Sequence, residues 1–330
     1  MTATTEATAG GAAARFVRRV DLAVIRDYGV VVAFVALFIT LSLSSNVFFT
    51  WGNMKNLAFQ TAPVGIIAVG GTLVFIGGGF DLSVGAISGF AGIMAAKIFT
   101  GTGIGLWGSL ILGALVGLGF GLGNGLLITL GRVNAFIATL ATSIIINGLG
   151  QVVTSGNLVS VSADRFTTLG LGTAWGINYP VFVWFGFAGV CGFLLSRTAF
   201  GRYVYAAGGN AEAARLSGVR VNVVRAITFC ISGLAAGIAG VILVSEVQTA
   251  QWNANTGIEF DAITAIVLGG TSLLGGEGAI WRSVLGAFFL QMIGNGFNLL
   301  GTTPELQYVI KGLILAGAVS LDAWARRRRA

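Results

Sequence analysis

Long apolar runs dominate this chain, and they restrict what it can fold into. About ten runs of roughly 17–25 mainly apolar residues can be marked along its 330 residues, and a helix of that length crosses about 30 Å of hydrocarbon. Lipid offers no hydrogen-bond partners, so a backbone that crosses it satisfies its polar groups within helices or a closed barrel. The predicted spans are residues 28–46, 57–77, 82–100, 105–130, 134–153, 179–196, 225–246, 258–273, 282–300 and 305–323. The sequence therefore predicts an all-α, polytopic transmembrane helix bundle of about ten spans.

The composition argues against a soluble protein and against metal chemistry. Hydrophobic residues make up 55% of the chain and charged residues only 9%, whereas a soluble domain carries about a quarter charged residues. There is no histidine, and Cys191 and Cys230 both lie in apolar runs, so neither a zinc or haem site nor a disulfide framework is indicated. No nucleophile–base pair is visible, which argues against an intramembrane enzyme. We expect no catalytic residue, metal or cofactor in this chain.

The positive charge is distributed as in a membrane protein rather than as in a nucleic-acid-binding protein. The net charge is +7, and with the N-terminus inside the cell, 15 of the 19 lysines and arginines fall in predicted cytoplasmic segments. This asymmetry follows the positive-inside rule, and an even number of spans places both termini in the cytoplasm. We therefore expect contact with membrane lipid and none with nucleic acid. The 15 residues are Arg15, Arg18, Arg19, Arg26, Arg132, Arg197, Arg202, Arg215, Arg220, Arg225, Arg282, Arg326, Arg327, Arg328 and Arg329.

Two glycine patterns indicate how the helices pack and where they break. Glycines recur every fourth residue in one predicted span, at Gly113, Gly117, Gly121 and Gly125, which gives that helix a smooth stripe for close backbone approach. Glycine-rich stretches at 76–85 and 268–278 interrupt the apolar pattern on the predicted cytoplasmic side. Non-helical backbone at membrane depth occurs only where protein covers it or a watery cavity adjoins it, and interrupted helices are typical of transporters.

A short polar segment, GGNAEAARLSGV at 208–219, lies between two long apolar runs on the predicted cytoplasmic side. Asn210 is the predicted N-cap of a short helix, Glu212 lies in its first turn, and Gly218 ends it. Such a helix could rest on lipid headgroups with its arginines on the phosphates. Alternatively, its small side chains could let it enter a cleft of a soluble partner. The residues alone leave both interpretations open.

Several stretches resemble one family of membrane proteins. EAARLSG (212–218) fits the Glu-Ala-Ala-x-x-x-Gly core of the cytoplasmic coupling helix of ABC-importer permeases, and its surroundings resemble the ribose/xylose-type sugar permeases. GGGFDLSVGAISG (77–89), NAFIATLATSIIINGL (134–149), residues 243–287 and YVIKGLILAGAV (308–319) are similar to the same family in order and spacing. The chain departs from the family at Asn134 and Ala135, where the family usually has proline, and at GGGFDLSVG, where it usually has GGIDLSVG.

The resemblance implies the permease of an ATP-driven importer of a pentose, hexose or polyol, in the bacterial cytoplasmic (inner) membrane. The chain contains no G-x-x-x-x-G-K-[ST] sequence, so ATP and Mg²⁺ would bind to a partner subunit. In the family, two permeases pair, either as copies or as different chains. Two ATP-binding subunits, or a fused double one, dock on the coupling helices, and an extracytoplasmic solute-binding protein delivers the sugar.

The predicted spans and the positive-inside rule divide the chain into a cytoplasmic tail (1–27), a transmembrane permease domain (28–323) and a basic cytoplasmic tail (324–330). The permease domain contains the cytoplasmic coupling segment, residues 197–224. The residues that the resemblance assigns to ATPase coupling are Asn210, Glu212, Ala213, Ala214, Arg215 and Gly218.

Ionisable residues in or beside the spans are candidates for a functional role, because charge near lipid is costly unless it is paired or hydrated. Asp81 could hold the first glycine-rich break or shape a gate. It could also cap the next helix by accepting N–H groups from Ser83 and Val84. Lys311 in the last predicted span could pair with a carboxylate such as Glu305, or extend to the surface.

Uncharged polar residues supply further candidates for the translocation pathway. Thr139, Ser143 and Asn147 share one face of the fifth predicted span, where they could line a polyol pathway or hydrogen-bond to neighbouring helices. Residues at the outer end of the seventh span could form the pathway mouth or a docking site for the binding protein. The candidates for pathway and gate are Asp81, Ser83, Phe136, Thr139, Thr142, Ser143, Asn147, Glu246, Gln248 and Asn253.

Other transporter classes share parts of this pattern. An ABC permease for a non-sugar solute, such as a nucleoside, a branched-chain amino acid or a furanone signal, would carry several of the same motifs. An ion-coupled secondary transporter is a different class, and it usually needs buried carboxylates or histidines for its coupling ion. This chain has few intramembrane acids and no histidine.

Overall fold

The computed structural model describes residues 22–102, 104–161 and 164–327. The predicted N-terminal tail through residue 21 and the last three residues of the basic tail lie outside the described residues. Within the described ranges the helices are α1 (Leu22–Ser44), α2 (Trp51–Ile76), α3 (Val84–Thr102), α4 (Leu106–Thr129), α5 (Ala135–Thr154), α6 (Asp164–Leu171), α7 (Tyr179–Arg197), α8 (Ala199–Gly209), α9 (Ala211–Leu216), α10 (Val221–Val247), α11 (Ile258–Leu268), α12 (Ile280–Leu299) and α13 (Pro304–Arg327). The strands are β1 (Val159–Ser160), β2 (Thr173–Ala174), β3 (Ile177–Asn178) and β4 (Thr249–Ala250).

Six of the described helices are long and apolar enough to cross a membrane, namely α2, α3, α4, α5, α7 and α10. They coincide with the second to seventh predicted spans, so the prediction of a helical membrane protein is confirmed. The eighth predicted span, 258–273, is different: α11 has only 11 residues and ends at Leu268. A helix of that length is about 16 Å long, which is too short for about 30 Å of hydrocarbon. The total of ten spans therefore stays a prediction.

Helix α10 lies at the centre of the fold and packs against α4, α2 and α3. The glycine stripe predicted in α4 is buried on this interface. A Cβ atom added at Gly117 would lie 2.8 Å from the Gly237 nitrogen, and one added at Gly125 would lie 2.8 Å from the Ala226 Cα. These distances are shorter than real Cβ contacts, so the two helices touch through their backbones. The predicted close packing along the stripe is confirmed.

Valine in place of one stripe glycine is expected to force these helices apart. We expect Gly117→Val to lower the free energy of unfolding by about 1–3 kcal/mol, because the added atoms meet backbone rather than a flexible side chain. Gly119 lies on the same helix with nothing within 4 Å of an added Cβ, so Gly119→Val is the matched control. The measurement is the thermal unfolding midpoint of the full chain in mild detergent, and equal midpoints for the two variants would contradict this packing.

The two predicted glycine-rich breaks meet each other and the end of α8. We call this contact the glycine junction and define it as residues 76–79, 207–209 and 275–278. The Gly276 nitrogen donates to the Ile76 carbonyl oxygen at 2.8 Å. A Cβ atom at Gly275 would lie 2.9 Å from the Gly78 Cα and 3.0 Å from the Gly208 oxygen. The φ angle of Gly275 is +91°, a conformation that glycine adopts at little cost.

The long connection between α5 and α7 forms a small cap at one end of α10. Strand β1 pairs antiparallel with β4, and β2 pairs antiparallel with β3. Helix α6 packs against α10, where the Gly170 nitrogen donates to the Ser245 hydroxyl oxygen at 2.7 Å. These bonds fix the connection to the end of α10 that carries Glu246.

Candidate functional site

The predicted coupling residues form a capped helix at the surface. The side-chain oxygen of Asn210 accepts N–H groups from Glu212 at 3.1 Å and Ala213 at 3.0 Å, so Asn210 is the N-cap, as predicted. Helix α9 ends at Leu216, and Gly218 follows with a φ of +85°, which reverses the chain at a position that favours glycine. The predicted start and end of this helix are confirmed.

Helix α9 is anchored on one side and leaves the other side uncovered. Ala214 is buried, whereas the Leu216 side chain is 82% exposed. Glu212 and Arg215 form a surface ion pair of 2.7 Å, and Ala213 beside them is exposed. The uncovered face therefore combines an apolar side chain, a charged pair and a small residue, which are groups that a partner protein can contact closely.

Arg225 connects the coupling segment to the first glycine-rich break. It lies in the first turns of α10 and is half-buried. Its Nε donates to the Gly77 carbonyl oxygen at 3.1 Å, and its Nη2 donates to the Ala207 carbonyl oxygen at 3.4 Å. One guanidinium thus joins the start of α10, the end of α8 and the break after α2.

Tyr205 connects α8 to the second break. Its hydroxyl donates to the Gly278 carbonyl oxygen at 2.7 Å. Burial raises the pKa of the Tyr205 phenol above its ordinary value, although the Arg282 guanidinium acts to lower that pKa. The hydroxyl therefore stays protonated near neutral pH and keeps its role as a donor.

A cavity of about 950 Å³ opens between α9 and the turn that joins α4 to α5. Three arginines, Arg132, Arg215 and Arg225, lie among its described lining residues, which include no acidic residue. Arg132 adopts a φ of +55°, which is uncommon for a residue other than glycine. The arginines make this side of the coupling segment a region of positive potential.

Asp81 is buried in the break between α2 and α3. Its carboxylate accepts hydrogen bonds from the Ser83 nitrogen at 3.0 Å, the Ser83 hydroxyl at 2.6 Å and the Ser232 hydroxyl at 2.8 Å. Ser232 is the twelfth residue of the 27-residue helix α10, so the carboxylate lies well along that helix. The predicted bond from the Ser83 nitrogen is confirmed. The predicted bond from Val84 is not among the described bonds. Helix α3 begins at Val84, and the Ser83 carbonyl oxygen accepts its first bond, from the Ile87 nitrogen at 2.8 Å. Ser83 rather than Asp81 therefore occupies the cap position.

Two further helices hold the same break. The Asn124 amide in α4 donates to the Ser83 hydroxyl oxygen at 2.8 Å, while the buried Asn124 Oδ1 has no hydrogen-bond partner in the described structure. The Thr139 hydroxyl in α5 accepts from the Leu82 nitrogen at 3.1 Å and donates to the Ala135 carbonyl oxygen at 2.8 Å. The polar groups around Asp81 therefore come from α4, α5 and α10 as well as from the break itself.

The polar face predicted on α5 is divided between a buried and an accessible part. Thr139 is fully buried by its contact with the break. Thr142, Ser143 and Asn147 are half-buried, and Phe136 is exposed near the start of the helix. The accessible part has room to contact a solute or a neighbouring chain.

The outer group of candidates lies together at the end of α10. Glu246 is half-buried in the last turn, and Gln248 and Asn253 are exposed. The Gln248 carbonyl oxygen accepts from the Val161 nitrogen at 2.9 Å, which ties this group to the cap. Glu246 is fourteen residues from Ser232 along α10, or about 21 Å, so the structure does not bring this group together with Asp81.

Lys311 pairs with a carboxylate that the sequence did not single out. Its Nζ lies 3.0 Å from Asp261 Oδ2 and 3.2 Å from Asp261 Oδ1, so the partner is Asp261 rather than Glu305. Asn124, Ser232 and Arg225 were also missed as parts of the site. The position of Asp261 in an apolar run could have marked it as a candidate. No local feature of the sequence, however, indicates that its partner is Lys311.

Comparison with known proteins identifies the family. Residues 53–319 match the family model described as branched-chain amino acid transport system / permease component. The chain is 39% identical over 297 residues to the ribose import permease protein of Escherichia coli (strain K12), covering 88% of this chain and 92% of that protein. It is 38% identical to the L-arabinose ABC transporter permease protein of Azospirillum brasilense, covering 91% and 88%. The ribose import permease protein of Bacillus subtilis (strain 168) is 40% identical, covering 82% and 84%. No solved structure matches the chain.

The matches to the relatives extend over most of this chain and of each relative. The family-model match includes the six described helices that are long and apolar enough to cross a membrane, apart from the first two residues of α2. The relatives are transport subunits rather than enzymes. The chain therefore belongs to this family of ABC-transporter permease components, and is a multi-pass protein of the bacterial inner membrane.

Proposed function

We propose that this chain forms the translocation pathway of an ATP-driven sugar importer and couples it to a separate ATPase. The single observation that carries the coupling role is the position of α9, a capped and largely exposed helix that follows directly on the glycine junction. A force on α9 passes through α8 to both breaks, because α8 contacts the backbone of each. The relatives named for ribose import and for L-arabinose transport support a sugar as the solute.

The proposed topology has ten spans with both termini in the cytoplasm. The positive-inside distribution of the arginines supports this orientation. It places α8, α9, the arginine-lined cavity and the glycine junction on the cytoplasmic side, and the cap formed by 154–178 on the outer side. The division into tails at 1–27 and 324–330 and a permease domain at 28–323 goes with this topology.

The proposed partners follow from the family. Two ATP-binding subunits, or a fused double one, dock on the coupling segments and hold ATP and Mg²⁺. A second permease, identical or different, completes the pathway within the lipid, and an extracytoplasmic solute-binding protein docks on the outer cap. The coupling role is assigned to Asn210, Glu212, Ala213, Ala214, Arg215 and Gly218, of which the buried Ala214 would anchor the helix rather than contact the partner. The pathway and gate contacts are assigned to Asp81, Ser83, Phe136, Thr139, Thr142, Ser143, Asn147, Glu246, Gln248 and Asn253.

Reversal of one charge on α9 tests the coupling role. We expect Glu212→Arg to reduce the amount of ATP-binding subunit that copurifies with the tagged full chain by more than tenfold. The variant breaks the pair with Arg215 and places two like charges on the exposed face of a short helix. The measurement is quantitative mass spectrometry of the complex, extracted gently from native membranes.

The control for this experiment is Glu305→Arg, because Glu305 is an exposed acid in the first turn of α13, distant in sequence from the coupling segment. It should leave copurification unchanged, and both variants should insert into the membrane at normal levels. Normal recovery of the ATP-binding subunit with Glu212→Arg would contradict the coupling assignment. Recovery of the unsubstituted chain without an ATP-binding subunit would contradict the proposed coupling to a separate ATPase.

A further inference from the structure

The Asp261–Lys311 ion pair lies in an unusual place for two charges. Asp261 is in the first turn of α11, and Lys311 is the eighth residue of α13. Their side chains are 29% and 32% exposed, respectively, so neither group is sealed inside the protein. Ionisable groups inside a membrane protein are costly to keep, and they commonly mark the path of a solute or an ion.

The pair lies in the wall of a cavity of about 480 Å³, which is bounded by α2, α10, α11 and α13. This volume is within the range of sites for small molecules. Polar side chains and two exposed aromatic rings, Phe260 and Tyr308, lie on the same wall. The polar lining consists of Asn255, Thr256, Asp261, Thr264, Tyr308 and Lys311.

These groups match the chemistry of a neutral polyhydroxylated solute. The Asp261 carboxylate can accept hydrogen bonds from hydroxyl groups, and the Lys311 ammonium has three N–H groups to donate. Asn255 is held at the wall by a 3.0 Å bond from its amide to the Ser88 hydroxyl oxygen. The ring of Tyr308 is 75% exposed and can pack against the C–H face of a sugar ring.

The neutrality of the pair disfavours a solute that carries a net charge. The charges of Asp261 and Lys311 compensate each other at 3.0 Å. A solute with a net charge would have to break this pair or leave its own charge unpaired, and both are costly away from bulk water. A sugar can add hydrogen bonds to the pair without separating it.

We propose that this cavity, the α11–α13 cavity, binds a monosaccharide or a similar polyol during its passage, with Asp261 as acceptor and Lys311 as donor. The inference rests on the proposed function and adds a binding site to it. The simpler explanation is that the ion pair only holds α13 against α11, the helix with which it chiefly packs. A purely structural role for the ion pair, however, does not account for a cavity with six polar side chains along its wall.

Protection of a cysteine in the cavity tests the proposal directly. Thr256 is exposed and lines the cavity, so Thr256→Cys can be labelled with a maleimide in the purified full chain, in a background where Cys191 and Cys230 are replaced by alanine. We expect D-ribose or L-arabinose at high millimolar concentration to slow labelling at least threefold. L-Leucine should not slow labelling. Leu158→Cys, an exposed position on the cap, should react at the same rate with or without sugar.

Substitutions of Asp261 and Lys311 distinguish a role in sugar binding from a purely structural role of the ion pair. We expect Asp261→Asn and Lys311→Met each to abolish protection. The double variant Asp261→Lys/Lys311→Asp should regain the thermal stability of the pair without regaining protection. Tyr308→Ala changes an exposed ring, so it should fold normally and require at least threefold more sugar for half protection. Protection that persists in folded Asp261→Asn and Lys311→Met, or that returns in the reversed pair, would overturn the proposal.

Failure of the cavity proposal can be distinguished from failure of the importer assignment. If no sugar protects Thr256→Cys although cells that carry the complete transporter take up ribose or arabinose, the α11–α13 cavity is not the binding site and the importer assignment stands. If no ATP-binding subunit copurifies and neither sugar is taken up, the proposed function itself fails.

Discussion

Gly208→Ala is expected to disrupt the glycine junction, whereas Gly209→Ala, one residue further along the same helix, should leave it intact. A Cβ atom at Gly208 would lie 2.6 Å from the Gly276 nitrogen and 2.9 Å from the Ile76 carbonyl carbon. Both contacts are with backbone, which cannot turn aside as a flexible side chain can. A Cβ atom at Gly209 would lie 4.0 Å from its nearest neighbour, the Gly276 Cα, which is an ordinary contact.

The expected loss is about 3 kcal/mol in the free energy of unfolding for Gly208→Ala, at the upper end of the range for overpacking. Gly209→Ala should change the free energy of unfolding little, because its added Cβ makes only an ordinary contact. Both substitutions replace glycine by the best helix former, so the difference between them reports the contact rather than helix propensity. Thermal unfolding midpoints of the two full-length variants in the same detergent provide the measurement. If Gly208→Ala is as stable as Gly209→Ala, the three segments of the junction do not touch as described.

The same pair of variants also tests the coupling path. We expect copurification of the ATP-binding subunit to survive in Gly208→Ala, since α9 keeps its own cap from Asn210. Solute-driven ATP hydrolysis by the complete transporter should nevertheless fall more than tenfold, because the contact between α8 and the breaks is altered. Normal stimulated hydrolysis in a variant with a displaced junction would show that the coupling path runs elsewhere.

Local features of this structure could be predicted from the sequence. The cap at Asn210 and the turn at Gly218 depend on residues a few positions apart, and both are confirmed. The glycine stripe of α4 could also be identified, because a repeat of four residues lies on one face of any helix. Its partner was not identified, because that required knowing which helix crosses α4. Gly233 and Gly237 in α10 supply the matching surface.

Contacts between distant segments could not be predicted in the same way. Arg225 contacts Gly77 across 148 residues, and its charge was interpreted only as a topology signal. The end of α11 was placed five residues too late, because the apolar composition of 258–273 hides the change of backbone conformation at Gly269 and Gly270. Hydropathy reports whether a segment can enter lipid, but it does not report where the segment stops being a helix.

The second large effect is expected at Asp81, where removal of one carboxylate leaves three donors without an acceptor. In Asp81→Ala the Ser83 nitrogen, the Ser83 hydroxyl and the Ser232 hydroxyl lose their bonds. An unsatisfied buried polar group costs about 1–3 kcal/mol. The hydroxyl groups can turn to other acceptors in part, so we expect a total loss of about 3–5 kcal/mol. The folded yield of the full chain and its thermal unfolding midpoint provide the measurement.

Asparagine at the same position separates hydrogen bonding from charge. In Asp81→Asn the amide oxygen can still accept from both Ser83 donors, and the amide N–H can donate to the Ser232 hydroxyl oxygen, since a hydroxyl both donates and accepts. We therefore expect this variant to keep most of the stability that Asp81→Ala loses. If Asp81→Asn is as unstable as Asp81→Ala, the break depends on the negative charge itself and our account of it as a hydrogen-bonded anchor is wrong. If Asp81→Asn is stable but transports no sugar, the anchor is correct and the carboxylate has a second role in the gate.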